Sequence, residues 1–262
     1  MFFIVKRKSI VLAVLLTLAF VVLTLSVSYG GASAVFFGQS TRKVPVYGVD
    51  TTEKVIALTF DAAWGADKTE GIIKILNDNE ADATFFLVGF WIDRYEEETK
   101  MIADAGLEIG NHSNNHLKMS QLTVDEIEKE ISSVNERIKK LTNNTPVYFR
   151  PPFGDYNNRL LEVVSSLNMV AIQWSIDTLD WKGLSAKQIV ERVVPNAKSG
   201  DIVLFHNNSD NVLNALPIVI SGLKNKGFSF VALSDLVLTE NYYIDNNGIQ
   251  HASSDDKNGG NI

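Results

Sequence analysis

Val55-Ile56-Ala57-Leu58-Thr59-Phe60-Asp61 is a nearly continuous apolar run that ends on an acid. A short run of this kind suits a parallel strand covered on both faces. Its closing carboxylate would emerge at the carboxyl end of the strand, where β/α folds gather their functional groups. Six further runs repeat the pattern, at 83–88, 107–110, 147–149, 170–174, 202–205 and 228–231. Helical patterns fall between them, at 68–78, 93–105, 124–141, 157–167, 186–198 and 211–225. In the clearest, Ile127, Ile131, Val134, Ile138 and Leu141 make one apolar stripe. Thr123 with Glu126, and Ser185 with Gln188, are candidate capping boxes. Alternation of strand and helix argues for a parallel α/β architecture, either an irregular barrel or an open sheet. No G-x-G-x-x-G follows the first strand and no Walker A motif occurs, so no nucleotide cofactor is expected.

Lys6, Arg7 and Lys8 precede an apolar stretch from Ile10 to Val27, broken only by Thr17, Thr24 and Ser26. It reaches the lower end of membrane-spanning length, and its basic flank predicts a cytoplasmic amino terminus. Ala32-Ser33-Ala34 offers a signal-peptidase site, but the run exceeds the usual core of a signal peptide, about 7–15 residues. A single-pass anchor in the cell membrane is therefore favoured over secretion by cleavage near Ala34. Residues 1–34 thus read as anchor or signal, 35–50 as a connector, 51–240 as the folded domain, and 241–262 as a disordered polar tail. Residues 1–34 hold three basic residues and no acidic one, leaving 21 Lys and Arg against 31 Asp and Glu in the exported part. That balance disfavours nucleic acid as a partner and is compatible with a neutral or cationic glycan. There is no cysteine, so neither a disulfide nor a thiolate ligand is available.

The chemistry-bearing residues cluster at or just beyond the predicted strand ends. His112 and His116, two of only four histidines, stand four apart in His-Ser-Asn-Asn-His. On a helical turn they would face one ligand, and imidazole suits zinc and related divalent metals. Zinc in a catalytic site takes three protein ligands and an open water position, so two histidines alone would hold it weakly. Arg150 precedes Pro151 and Pro152, which restrict its backbone to an extended form. A rigidly held guanidinium can orient a carboxylate, though a stiff turn with a surface ion pair fits the same residues. Asp177-Thr178-Leu179-Asp180-Trp181 offers two acids and an aromatic platform. His206 leaves a buried run for a polar loop, as a general acid would. Asp61 reads equally as a reactive acid or a capping residue.

Taken in order, Thr59-Phe60-Asp61, His112-x-x-x-His116, Arg150-Pro-Pro-x-Gly154, Asp177-x-x-Asp180-Trp181 and the apolar run ending on His206 resemble the motifs of the polysaccharide deacetylases, the NodB-homology group of carbohydrate esterase family four. The resemblance spans about 55–240, and Thr59 to Gly65 is most similar to the sporulation-linked, membrane-anchored deacetylases of Bacillus-type bacteria. It implies an irregular (β/α) barrel of seven or eight strands and removal of acetyl from N-acetylated sugars of peptidoglycan. It also implies roles: Asp61 as general base, His112 and His116 as ligands of a divalent metal, usually zinc, and His206 as general acid. Arg150 would tune Asp61 and Asp180 would tune His206. The Phe153 amide would stabilise an oxyanion, with Trp181 and Leu204 lining the acetyl pocket.

One residue departs from the pattern. The family reads Thr-Phe-Asp-Asp and uses the second aspartate as third metal ligand, whereas this chain has Ala62. Asp67, six residues beyond Asp61, is a candidate substitute ligand and equally a candidate cap for the next helix. Loss of a ligand carboxylate should weaken the metal site. Two expectations follow: a metal-dependent peptidoglycan deacetylase, or a weak or inactive glycan-binding protein of the same fold.

Overall fold

The computed structural model describes residues 13–21 and 42–253. Residues 13–21 are helical with exposed side chains and belong to a separate unit, Met1–Arg42. Among the described residues no helix is long and apolar enough to cross a membrane. Half of the Ile10–Val27 run, the Ala34 site and residues 254–262 lie outside the described residues.

The unit from Lys43 onward is built on β2 (Val55–Ala62), the longest strand. Parallel partners flank it: β3 (Ala83–Leu87) on one side and β8 (Ile202–His206) on the other. The hydrogen-bonded order of the main sheet is β6-β5-β4-β3-β2-β8-β7, with β9 (Ser229–Phe230) pairing the start of β2. Here β4 is Glu108–Asn111, β5 Tyr148–Phe149, β6 Val170–Ala171 and β7 Ile176–Asp177. The apolar run at 170–174 was expected as one strand. It gives β6 at one edge of the sheet, and the chain then continues into β7 at the other. Residues 170–177 thus bond to β5 first and β8 second, so the sheet curls until its two edges meet in one stretch of chain. The result is an irregular, incompletely closed α/β barrel of eight strands, as the resemblance implied.

Side-chain alternation along β2 divides the core. Ile56, Leu58, Phe60 and Ala62 pack outward against the helices, with Phe85 and Phe205 beside them. Ala57, Phe86, Tyr148, Ile172 and Ile202 form a smaller inner cluster. The covering helices are α1 (Thr69–Asp78), α2 (Gly89–Arg94), α3 (Glu96–Asp104), α4 (Val124–Thr142), α5 (Asn158–Ser166), α6 (Ala186–Val193), α7 (Val212–Asn225) and α8 (Leu233–Leu236). Both expected capping boxes are present, at Thr123 with Glu126 and Ser185 with Gln188. The helix expected over 93–105 is two helices, because Tyr95 leaves helical geometry between them at φ −130°. Glu96, Glu97 and Glu98 then occupy the first turn of α3, where acids complement exposed amides. The helix expected over 186–198 stops at Val193, two residues before Pro195, which cannot continue it.

The polar tail departs most from its expectation. Residues 242–252 form an antiparallel pair, β10 (Tyr242–Ile244) and β11 (Ile249–Ala252). Strand β11 also pairs in parallel with β1 (Gly48–Val49), in the stretch expected as a connector. The Asp-Asn-Asn-Gly composition that suggested disorder is turn chemistry: Asp245 Oδ1 accepts from the amides of Asn247 and Ile249. Gly248 follows at φ +83°, where a Cβ would collide with the Tyr47 ring. Gln250 is fully buried and bonds both backbone groups of Leu238 at 2.8 Å. Replacing Gln250 by Ala should leave that amide and carbonyl without partners and lower stability by about 1–3 kcal/mol, read as a reduced urea midpoint. An unchanged midpoint would show that the tail does not contribute to the fold.

Candidate active site

The strand register sets the site. Asp61 is the Cα partner of Phe86 on β3 and of His206 on β8. Partners across parallel strands point to the same face, so Asp61 and His206 share the inner face at the carboxyl rim. Phe60, one residue earlier, turns outward between Phe85 and Phe205, with ring centroids 4.8 and 5.4 Å away.

Arg150 leaves β5 fully buried beneath Asp61. Its Nη1 donates to Asp61 Oδ1 at 2.8 Å, and its Nη2 to the Gln173 carbonyl at 3.0 Å. The guanidinium lies 4.1 Å from the Phe86 ring centroid. That ring needs the space left by Gly110, where a Cβ would come within 2.6 Å of it. His112 leaves β4 with Nδ1 2.7 Å from the Arg150 carbonyl. A carbonyl only accepts, so the proton sits on Nδ1 and the Nε2 lone pair faces Asp61 Oδ2, 3.4 Å away.

Residues 112–116 do not form the helical turn their spacing suggested. Ser113 and His116 take φ of +66° and +53°. The bend is held by Asn111 Oδ1, which accepts from the Ser113 amide, and by Ser113 Oγ, which accepts from His116. Glu130 on α4 accepts from the Asn115 amide. The two imidazoles still meet, with centroids 5.0 Å apart. On the opposite side, His206 Nδ1 donates to Asp180 Oδ1 at 2.8 Å and its backbone N–H to Oδ2 at 2.9 Å. Both oxygens of the buried Asp180 are thereby spent on fixing one ring.

Burial alone would raise the Asp61 carboxyl, but the positive charge of Arg150 and His206 around it, with the Arg150 hydrogen bond, outweighs burial and holds the group below its usual value. Burial lowers His112 despite Asp61. Burial also lowers His116, to about 4. Burial also acts to lower His206, yet the Asp180 hydrogen bond and the charges of Asp61, Asp180 and Asp177 leave it raised. At neutral pH the site therefore holds an anionic acceptor, two neutral imidazoles and a histidine biased towards donating.

These groups open on a cavity of about 630 Å³. Asp61, His112, His116, Phe153, Trp181 and His206 line it, together with Trp64, Trp174 and Asn208, to which the sequence reading assigned no role. The only advance signal for Trp64 was its place three residues after Asp61. Phe153, at φ +61°, and Trp181 are 63% and 58% exposed. Leu204 is two register positions deeper than His206, opposite Thr59, and buried away from the cavity lining. Asp67 is not brought to the imidazoles. Its carboxylate is 70% exposed and pairs with Lys68 at 3.0 Å, and it makes no capping bond to α1.

Known proteins resemble this chain in sequence and fold. A family model described as polysaccharide deacetylase matches residues 48–172. A peptidoglycan-N-acetylglucosamine deacetylase of Bacillus cereus is 35% identical over 194 residues, covering 72% of this chain and 91% of the relative. The chain belongs to the polysaccharide deacetylase family. It is also 30% identical over 199 residues to the YlxY protein of Bacillus subtilis, covering 76% of this chain and 62% of that relative. Among solved structures, a carbohydrate esterase family 4 pseudoenzyme from Bacillus anthracis matches with a TM-score of 0.72 at 30% identity, over 80% of this chain and 73% of that one. A mutant of that pseudoenzyme with restored activity matches with the same score at 34% identity, over 74% and 71% of the two chains.

The deacetylases of this family are metal-dependent, and the residues here do not fit a three-ligand metal centre. Position 62 is an alanine fully buried in the outward apolar layer. Asp67 is committed to Lys68, and Asp61 to Arg150. Among the described residues, no group of three or more His, Cys, Asp or Glu side chains is placed to hold a metal. Two imidazoles remain, one ligand short of a catalytic zinc site.

Arg150→Met should cost about 3–5 kcal/mol by leaving Asp61 buried and unpaired, measured by chemical denaturation. NMR titration of the chelator-treated protein should find His116 protonating near 4 and His206 above 6.5. The linkage signs are opposite. The raised His206 stabilises fully below its unfolded value and loses that contribution as pH rises through its folded value. The lowered His116 penalises the fold as pH falls from 6.5 towards about 4.

Proposed function

We propose that this chain binds N-acetylated glycan strands of peptidoglycan in the cleft at the carboxyl rim and hydrolyses them at most slowly. The observation that carries this reading is Ala62, buried in the apolar layer where the family supplies a third ligand. The match to a pseudoenzyme of the same family supports it. The substrate class is supported by the match to a peptidoglycan-N-acetylglucosamine deacetylase and by a cleft that joins polar groups to exposed aromatic faces. The apolar run behind Lys6-Arg7-Lys8 supports an extracytoplasmic location at the membrane, where peptidoglycan is found.

A second reading, an active deacetylase, is favoured by one specific observation. Both acid–base pairs are intact, Arg150 on Asp61 and Asp180 on His206, each at 2.8 Å. In that reading Asp61 accepts the proton of the attacking water and His206 gives one to the departing amine. A divalent metal would supply water activation, but among the described residues no third ligand is in place to hold it.

Purified protein should bind N-acetylglucosamine oligomers, and Asp61→Asn should bind them as well. Acetate release should stay at background with or without added zinc, and zinc retained after dialysis should fall well below one per chain. Turnover above about 1 s⁻¹, ordinary for an enzyme, would overturn the binding reading in favour of the hydrolase.

A further inference from the structure

We propose that Trp64 and Phe90 form a second sugar platform beside the cleft, which receives the neighbouring N-acetylated pyranose of the same glycan strand. The proposal rests on the glycan-binding reading and extends it from one sugar to two.

A single exposed apolar residue is ordinary on a protein surface. Trp64 differs in how it is held. Its side chain is 56% exposed, yet the backbone directly after it is fastened from two directions. The Gly65 carbonyl accepts from Trp91 Nε1 at 2.7 Å and from Asn207 Nδ2 at 2.8 Å. Both donors are buried, one on α2 and the other just beyond β8. Gly65 lies at φ +64°, a conformation that side-chain-bearing residues seldom adopt. Two residues before Trp64, the Ala62 carbonyl accepts from Val88 at 3.1 Å. The loop presenting the indole is therefore pinned on both sides.

The ring is also wedged in place. It meets His116 edge-on with centroids 5.0 Å apart, and Phe90 at 6.4 Å. On its other side His116 meets Phe153 at 4.5 Å. Phe90, Trp64, His116 and Phe153 thus make a continuous aromatic strip that runs into the cavity. A pyranose offers such a strip its C–H face and leaves its hydroxyls and acetamido group in water. Continuity with the cleft selects the occupant: a strand with one sugar beside His206 and Asp61 must lay its next units along the rim. Because the ring is already ordered, little conformational freedom is lost when a sugar stacks on it.

The test compares short and long N-acetylglucosamine oligomers by calorimetry on the wild type, Trp64→Ala, Trp64→Leu and Trp64→Phe. Wild-type affinity should rise with oligomer length. Trp64→Ala and Trp64→Leu should weaken tetramer binding roughly tenfold, the loss of one anchor residue, and lower monomer affinity by a clearly smaller factor, since Trp64 also borders the cavity. Trp64→Phe should retain most of the tetramer affinity, since it keeps an aromatic face. Equal losses at every length would assign Trp64 a structural role and overturn the platform, and so would undiminished tetramer binding by Trp64→Ala. Either result leaves the glycan-binding reading standing. Failure of the wild type to bind any oligomer would reject that reading, and the platform with it. The exposed side chain makes the variants foldable, and thermal unfolding verifies this.

Discussion

The buried ion pair between Arg150 and Asp61 organises this rim. A guanidinium and a carboxylate removed from water are costly unless geometry and further hydrogen bonds compensate them. Here Arg150 bonds Asp61 and the Gln173 carbonyl and lies against Phe86, while its own carbonyl orients His112. One residue thus connects β5, β2, β4 and the seam of the barrel. Gly110 belongs to the same construction, because Phe86 can lie beneath the guanidinium only if β4 carries no side chain at that point.

The site has two halves in different conditions. The acid–base half is complete, with Asp61 held anionic and His206 fixed and biased towards donating. The other half brings two imidazoles together, and no third metal-ligating side chain joins them among the described residues. These halves rest on different parts of the sequence. Asp61 and His206 follow from strand register, whereas a third ligand needs a donor at position 62, whose methyl packs with the helices. A single residue at one strand end, alanine where the family motif carries an acid, therefore leaves the two imidazoles without a third partner among the described residues.

Local signals were the legible ones. The strand at 55–62, the stripe on α4 and both capping boxes follow from short-range patterning and are found where expected. The motif residues could be ordered along the chain and placed at strand ends. The bend at His112–His116 could not be read, because positive φ at Ser113 and His116 depends on hydrogen bonds to Asn111 and to α4. Asp67 looked like a spare ligand only because it is close in sequence; a neighbouring lysine takes it to the surface. The polar tail was misread because a tight turn and a disordered segment share the same residue types, and its partner strand lies at the far end of the domain. Trp64 left little trace, since exposure is a property of the folded surface.

The pairing of Gly48 with Ile249 has a consequence for the order of assembly. Val46 also bonds across the seam at Ile172, so the amino-terminal stretch that borders the gap is itself paired to the last strand described. Strand–helix units in the middle of the chain can form from nearby residues, but this closure joins the two ends of the domain, and long-range pairings of that kind form slowly. Ribosomal synthesis delivers the amino-terminal end first. Until β11 arrives, the barrel therefore waits with its gap uncovered, and its final shape is reached only after the whole domain has been delivered.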